Sequence, residues 1–375
     1  MRDLTVLIKP ASSLCNLRCG YCFYHAIADS REQASYGRMT TDTAAVLIEK
    51  ALAAAPAVTF AFQGGEPTLA GMDFFRFFTD EVDRRNTRKA KVRYAIQTNG
   101  TAITEEFAGF LAGHGFLVGL SLDGPKDIND WMRVDASGKS VFASVVKTAR
   151  LFDRMGVQYN VLCVVHSGVA RQIEKVYRFF RKQGFEYLQF IPCLDPLDTV
   201  PFSGPSSLSP DLYADFLIRL FRLWAADIDA GRGVSIRFFD NLLSIAAGYP
   251  SEQCGMQGQC PGQFVIEGDG SVFPCDFYCV DNWRIGNIAE LSFEQAYASP
   301  VMQKFIETSA YDDEDCRRCP YFQLCRGGCR RDRDAGLDGV AGDNRYCAAL
   351  MRFYAEAVPR LPGLLQKLGV NSMHF

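Results

Sequence analysis

The stretch PASSLCNLRCGYCFYH, residues 10–25, holds Cys15, Cys19 and Cys22 in the spacing C-x3-C-x2-C, and the next cysteine is Cys163. An apolar run, LTVLIKP (4–10), stands just before it, so the three thiols sit in a loop that follows a strand. A cubic 4Fe–4S cluster asks for one protein ligand on each of its four irons. Three cysteines leave one iron open, and an open coordination position is where a metal does chemistry. A zinc ion with a remote fourth ligand uses the same residues, and His25, three positions past Cys22, is placed to supply it.

The rest of the chain narrows the setting. With 375 residues it is long enough for two to three domains and a well-buried core. Its net charge of −3 offers no broad basic surface, so neither nucleic acid nor an anionic membrane is an expected partner. The first residues, MRDLTVLIKP, carry charges too early and an apolar run too short for a signal peptide. The stretch FAGFLAGHGFLVGLSL (107–122) is cut by four glycines and His114, so it reads as helix, turn and strand instead of a membrane span. A soluble cytoplasmic protein is expected. In that compartment fourteen cysteines at clustered spacings point to metal or redox chemistry, not to seven disulfides.

Strand-like runs alternate with helical patterns through the first half. The strands are LTVLIKP (4–10), VTFAFQGG (58–65), KVRYAIQTNG (91–100), FLVGLSLDG (116–124), VQYNVLCVV (157–165) and YLQFIPCL (187–194). AAVLIEKALAAA, FFRFFTDEVDRR and VFASVVKTARLFDRM carry helical apolar spacing between them. Six β/α units of this kind imply parallel strands with right-handed crossovers, in an α/β sheet covered by helices or curled into a partial barrel. Working groups then gather at the C-terminal strand ends. The cysteine loop, GGEP (64–67), TNG (98–100) and SLDGP (121–125) all fall there, on one mouth.

A Pro-, Ser- and Gly-rich linker (196–210) and the helical run DLYADFLIRLFRLWAADIDA follow. From about residue 236 the pattern changes to short loops, turns and cysteines, closing on a helix from about 348, so two domains are expected, 1–235 and 236–375. Cys316, Cys319, Cys325, Cys329 and Cys347 form C-x2-C-x5-C-x3-C-x17-C, and Cys254, Cys260 and Cys275 precede them. Eight cysteines are two full sets of four, which hold either two closed clusters or two zinc ions. Cys163, Cys193 and Cys279 remain; the first two read as small core residues and Cys279 as a spare thiol.

C-x3-C-x2-C after a first strand resembles the radical S-adenosylmethionine (SAM) superfamily. There the free iron is chelated by SAM, and one electron splits the sulfonium to methionine and a 5′-deoxyadenosyl radical that abstracts hydrogen from substrate. The resemblance implies that Tyr21 packs near the adenine and that the loop of Gly64, Gly65 and Glu66 meets the methionyl ammonium. It places Ser121 and Asp123 at the ribose, and Leu194 at the adenine. Arg133 is then a partner for the methionyl carboxylate, since a guanidinium holds carboxylates bidentately. The second cysteine set resembles the SPASM domain, an auxiliary-cluster module. Its family pairing gives Cys254, Cys260, Cys275 and Cys329 to one 4Fe–4S cluster and Cys316, Cys319, Cys325 and Cys347 to the other, three clusters in all. The expected fold is therefore a partial (β/α)6 barrel radical SAM domain, then a cysteine-rich SPASM domain and a C-terminal helix.

Longer motifs, among them FAFQGGEPTLAG, QTNGT, FLVGLSLDGPK, VSIRFFD, GSVFPCDFY and CRGGCRR, resemble the anaerobic sulfatase-maturating enzymes. That resemblance implies oxidation of a Cys or Ser in a C/S-x-P/A-x-R motif of an unfolded or nascent sulfatase to Cα-formylglycine. Asp276, tethered beside Cys275, is the implied base, and a flavodoxin or ferredoxin the implied electron donor. A SPASM enzyme forging thioether crosslinks in a ribosomal peptide is the alternative; it usually carries a peptide-clasping N-terminal domain, and here the first strand begins by residue 4. A plain iron–sulfur electron carrier is disfavoured by the open iron with its SAM pocket.

Overall fold

The computed structural model describes residues 1–196, 199–310, 313–333 and 342–369; Leu197 and Asp198 of the expected linker lie outside them. Among the described residues ten strands run in chain order. They are β1 (Leu4–Ile8), β2 (Ala57–Phe62), β3 (Lys91–Thr98), β4 (Leu117–Ser121) and β5 (Gln158–Val165). Then come β6 (Tyr187–Pro192), β7 (Ser235–Ile236), β8 (Phe264–Ile266), β9 (Ser271–Phe273) and β10 (Gly286–Asn287). The first six match the runs read from sequence to within a few residues at either end.

The chain forms two compact units. The first holds Met1–Ser121, Arg133–Tyr159 and Gly262–Phe305; the second holds Leu122–Met132, Asn160–Pro261 and the chain from Ile306. In the first unit the strand order is β10-β9-β8-β1-β2-β3-β4. β1 to β4 are parallel neighbours, and β8 adds parallel to β1 with Val6 opposite Phe264. Side chains of β2 alternate half-buried and buried, so Val58, Phe60 and Phe62 point into the helix-covered core. Phe62 meets Phe75 and Phe78 of the helix Met72–Arg85 with ring centroids 5.1 and 5.0 Å apart, edge to face. Thr40 and Thr104 cap the helices Thr41–Ala54 and Glu105–Gly113 by accepting from the N–H of Thr43 and Phe107.

The hairpin β8–β9 is a departure from the loops expected past residue 236. Each strand is three residues long, too short to show alternation, and all six residues are buried. The turn closes through the Gly270 N–H on the Glu267 carbonyl at 2.9 Å, with Gly270 at φ +88°. Because β8 lies against β1, the hairpin carries Cys275 and Asp276 into the first unit beside the end of β1.

In the second unit β6 lies between β5 and β7, parallel to both. The helix Pro210–Asp229 begins at Ser209, whose hydroxyl accepts from the Leu212 N–H, and it buries Phe216, Leu220, Phe221 and Trp224. The C-terminal helical stretch begins at Cys347, near the expected start, with the helix Cys347–Ala357, and a further helix, Leu361–Lys367, follows it.

Candidate active site

The three-cysteine loop leaves β1 and ends where Cys22 opens the helix Phe23–Asp29. The GGEP loop is laced onto it: Gly65 N–H donates to the Ser12 carbonyl at 2.8 Å and Glu66 N–H to the Leu14 carbonyl at 2.7 Å. A Cβ on Gly65 would stand 2.1 Å from the Leu14 carbonyl oxygen, so only glycine permits that approach. Both carboxylate oxygens of Glu66 are spoken for. Oε1 accepts from the Thr68 N–H and the hydroxyls of Thr68 and Thr98, and Oε2 accepts from the Asn99 N–H at 2.7 Å. Burial raises the Glu66 pKa above the usual carboxylate value, and those hydrogen bonds oppose it. Asn99 in turn donates to Asn16 Oδ1 at 2.8 Å, pinning the cysteine loop to the end of β3.

Cys15, Cys19 and Cys22 are half-buried thiols that form no disulfide. Burial raises the Cys15 and Cys22 thiols; backbone N–H groups and Arg133 pull the other way. Iron displaces such protons outright, so thiolate donors sheltered from water and flanked by a cation fit a cluster. Tyr21 and Arg133 meet: the guanidinium Nη2 donates to the Tyr21 hydroxyl at 2.7 Å and lies 5.8 Å from the ring. Ser121 is buried at the end of β4. His25 lies on the helix after Cys22, with its pKa lowered by burial and by Arg18.

Asp276 opens a short helical turn directly after Cys275 and is 7% exposed. Its Oδ2 accepts from the Tyr24 hydroxyl at 2.6 Å and from Gln63 Nε2 at 2.7 Å, while Lys9 Nζ stands 3.0 Å from Oδ1. A carboxylate offers about four lone-pair sites, so a further donor is still accommodated. Lys9 is 2% exposed and also 3.6 Å from Glu267, which Arg31 engages at 2.7 Å. Burial disfavours the Lys9 charge, but Asp276, Cys279 and Glu267 outweigh it and raise the lysine's pKa. Burial, with Asp276 alongside, likewise raises Tyr24 well above its ordinary value, so it stays a donor. Sequence reasoning missed Lys9, Tyr24 and Gln63. A lysine closing an apolar strand and a glutamine just ahead of GG were the available signals.

In the second unit Asp123 is fully buried; its Oδ1 accepts from the Val164 N–H at 2.9 Å and its own N–H donates to Asn129 Oδ1 at 3.2 Å. It lies within electrostatic reach of Cys193, the neighbour of half-buried Leu194. Cys329 gathers with Cys254 and Cys260; burial, then Asp332 and these two thiols, raises it well above its usual value. A Cβ on Gly255 would meet Cys329 Cβ at 3.3 Å, so the two segments pack backbone to side chain. Cys316, Cys319, Cys325 and Cys347 form the other group, with Cys325 pushed up to about 11 by burial and then by its three neighbours. Gly328, at φ +78°, lets Asn344 close on this loop: a Cβ there would lie 2.1 Å from Asn344 Nδ2. Such all-thiol sets suit iron–sulfur clusters by donor chemistry. Cys275 belongs to the first unit.

Residues 10–180 match the radical SAM superfamily and residues 254–320 an iron–sulfur cluster-binding domain. The cysteine-type anaerobic sulfatase-maturating enzyme of Clostridium novyi is 46% identical over 96% of this chain and 97% of its own. The serine-type enzyme of Klebsiella aerogenes is 29% identical over 95% and 85%. The structure of native anSMEcpe with bound AdoMet and Cp18Cys peptide superposes with a TM-score of 0.94 at 44% identity, covering 98% of this chain and 99% of that one. With SAM and three 4Fe–4S clusters as its cofactors, not zinc, and a radical SAM partial barrel joined to a SPASM domain, this chain belongs to the anaerobic sulfatase-maturating enzymes.

Proposed function

We propose that this enzyme oxidises the cysteine of a Cys-x-Pro-x-Arg motif in an unfolded sulfatase to Cα-formylglycine, with Asp276 as the base. The observation that carries this reading is the setting of Asp276: a buried carboxylate oriented by Lys9, Tyr24 and Gln63, with capacity for one more donor. Cysteine is favoured over serine by the nearer kinship with the cysteine-type relative.

Cys15, Cys19 and Cys22 would hold the reactive cluster, leaving one iron to SAM. Tyr21, Gly64, Gly65, Glu66, Ser121, Asp123, Arg133 and Leu194 would surround that cofactor. The pairing of Cys254, Cys260, Cys275 and Cys329, and of Cys316, Cys319, Cys325 and Cys347, follows the family pattern, and the SPASM part is taken from residue 236. When bound, SAM and the clusters supply the hydrogen-abstracting radical and the sink for the electron left on the substrate. Asp276 takes the thiol proton as carbon–sulfur double bonding develops, and water then replaces sulfur to give the aldehyde and hydrogen sulfide. Lys9 holds the negative carboxylate in place, and Tyr24 and Gln63 fix the plane it presents.

Among the described residues no helix is long and apolar enough to cross a membrane. A cytoplasmic site, where the client is still unfolded and a flavodoxin or ferredoxin can deliver electrons, completes the proposal. Incubating the reduced, iron-loaded enzyme and SAM with a Cys-x-Pro-x-Arg peptide tests it by mass spectrometry. The expected product has CH2SH replaced by CHO. An unchanged peptide, alongside crosslinking of some other substrate, would overturn it.

A further inference from the structure

We propose that two buried arginines, Arg330 and Arg333, raise the reduction potential of the cluster held in part by Cys254, Cys260 and Cys329, fitting it to receive the substrate's electron. This rests on the auxiliary-cluster assignment above.

The three arginines after Cys329 are almost wholly buried, Arg330 at 1%, Arg331 at 4% and Arg333 at 4% exposure. Arg330 Nη1 donates to Thr308 Oγ1 at 3.1 Å, and Arg333 Nη2 to the Ser309 carbonyl at 2.5 Å. The same Ser309 receives the Cys260 N–H on its hydroxyl oxygen at 2.8 Å, so Cys260 and Arg333 are fastened to one fully buried residue. Arg330 follows Cys329 directly in the chain. Arg331 turns to the Asp195 carbonyl, at 2.7 Å. Cys260 feels both Arg330 and Arg333 electrostatically, and Asp332, one carboxylate against the three buried arginines, acts on Cys329 in the opposite sense.

The other group of thiols has a different setting. Arg326, next to Cys325, is exposed, and Asp313 and Asp343 lie within electrostatic reach of Cys316. Reduction adds negative charge to a cluster, so a nearby cation favours the reduced state, and net charge is one of the levers on such potentials. A buried charge exerts that effect with little screening, whereas an exposed one loses most of it to water and salt. The asymmetry makes the Arg-flanked cluster the better electron acceptor of the two.

The test is an anaerobic redox titration of the iron-loaded full chain, followed by electron paramagnetic resonance, with iron counted for every variant. Arg330→Gln and Arg333→Gln should each shift the one-electron reduction equilibrium of one auxiliary signal about tenfold toward the oxidised form, about 59 mV. Arg333→Lys, which keeps the charge, should stay within about twofold, and Arg326→Gln, at the exposed site, should do the same. If Arg333→Gln fails to retain its iron, Arg333→Met keeps the stem packing and reads the same shift. Wild-type midpoints in the glutamine variants would overturn the inference, as would an equal fall in Arg333→Lys. A wild-type protein with iron for one cluster alone would instead overturn the auxiliary-cluster assignment, and this inference with it.

Discussion

Glu66 and Asp276 are buried carboxylates of the first unit, 1% and 7% exposed, each placed just beyond a strand. Their partners differ in kind. Glu66 is met by neutral donors fixed to the chain around it, two backbone N–H groups and two threonine hydroxyls, and both oxygens are bound. Asp276 is met by side chains alone: an ammonium, a phenol and an amide. A carboxylate clamped by rigid backbone ties two strand ends together. One held by side chains just past the end of a hairpin has its aim set by groups that leave room for a further donor. Burial alone does not separate the two carboxylates; the identity of the donors does, and it is what the proposed role of Asp276 as base rests on.

The strongest way to break this comparison is Asp276→Asn. Asparagine preserves size and still accepts from Tyr24 or Gln63, but it cannot take a proton. Aldehyde formation should fall about 10²–10⁴-fold, the usual contribution of a general base, while SAM cleavage continues. Quantifying formylglycine and 5′-deoxyadenosine in one reaction measures both. Undiminished aldehyde would remove Asp276 from the chemistry.

The difference between these two residues was only partly legible in the sequence. The strands of the parallel sheet announce themselves through Val-, Ile- and Phe-rich runs such as AVTFAF, and the thiol groups through their spacings. Asp276 stood out because it adjoins Cys275. Its partners did not, since Lys9 and Gln63 sit at ends of strands far away in sequence and meet Asp276 only after β8 has paired with β1. Six residues of hairpin carry no periodicity long enough to reveal that pairing. Glu66 was read with the loop around it, as part of a cofactor-facing turn. Its embrace by Thr98 and Asn99 depends on the β2–β3 register, with Phe62 opposite Ile96, and no local pattern encodes it.

Glu66→Gln sharpens the contrast from the other side, with a smaller expected effect on a different observable. Glutamine can keep an oxygen toward Thr68 and Thr98, but its amide then turns a donor toward the Asn99 N–H, leaving that buried group unsatisfied. The cost is about 1–3 kcal/mol of stability, read as a lower denaturation midpoint of the iron-loaded protein. Because Asn99 also holds Asn16, iron retention by the Cys15–Cys22 loop should weaken as well. A variant as stable as the parent would show that the clamp contributes nothing measurable.

The smallest effect is expected at Cys279, the spare thiol that packs among the same charges. It is fully buried, 3.5 Å from the Cys275 carbonyl, and burial pushes it up to about 12 with Lys9 opposing. At neutral pH it is therefore a neutral thiol, and the anionic partners of Lys9 are Asp276 and Glu267, at 3.0 and 3.6 Å. Cys279→Ala removes one sulfur from a closely packed site, so a loss of roughly 1 kcal/mol is expected. Aldehyde yield should stay within about threefold of the parent, because the ion pair that orients Asp276 survives intact. If this variant instead behaved like Asp276→Asn, cleaving SAM while making no aldehyde, the proton would have to leave through the sulfur. The division between a carboxylate that reacts and neighbours that merely hold it would then fail.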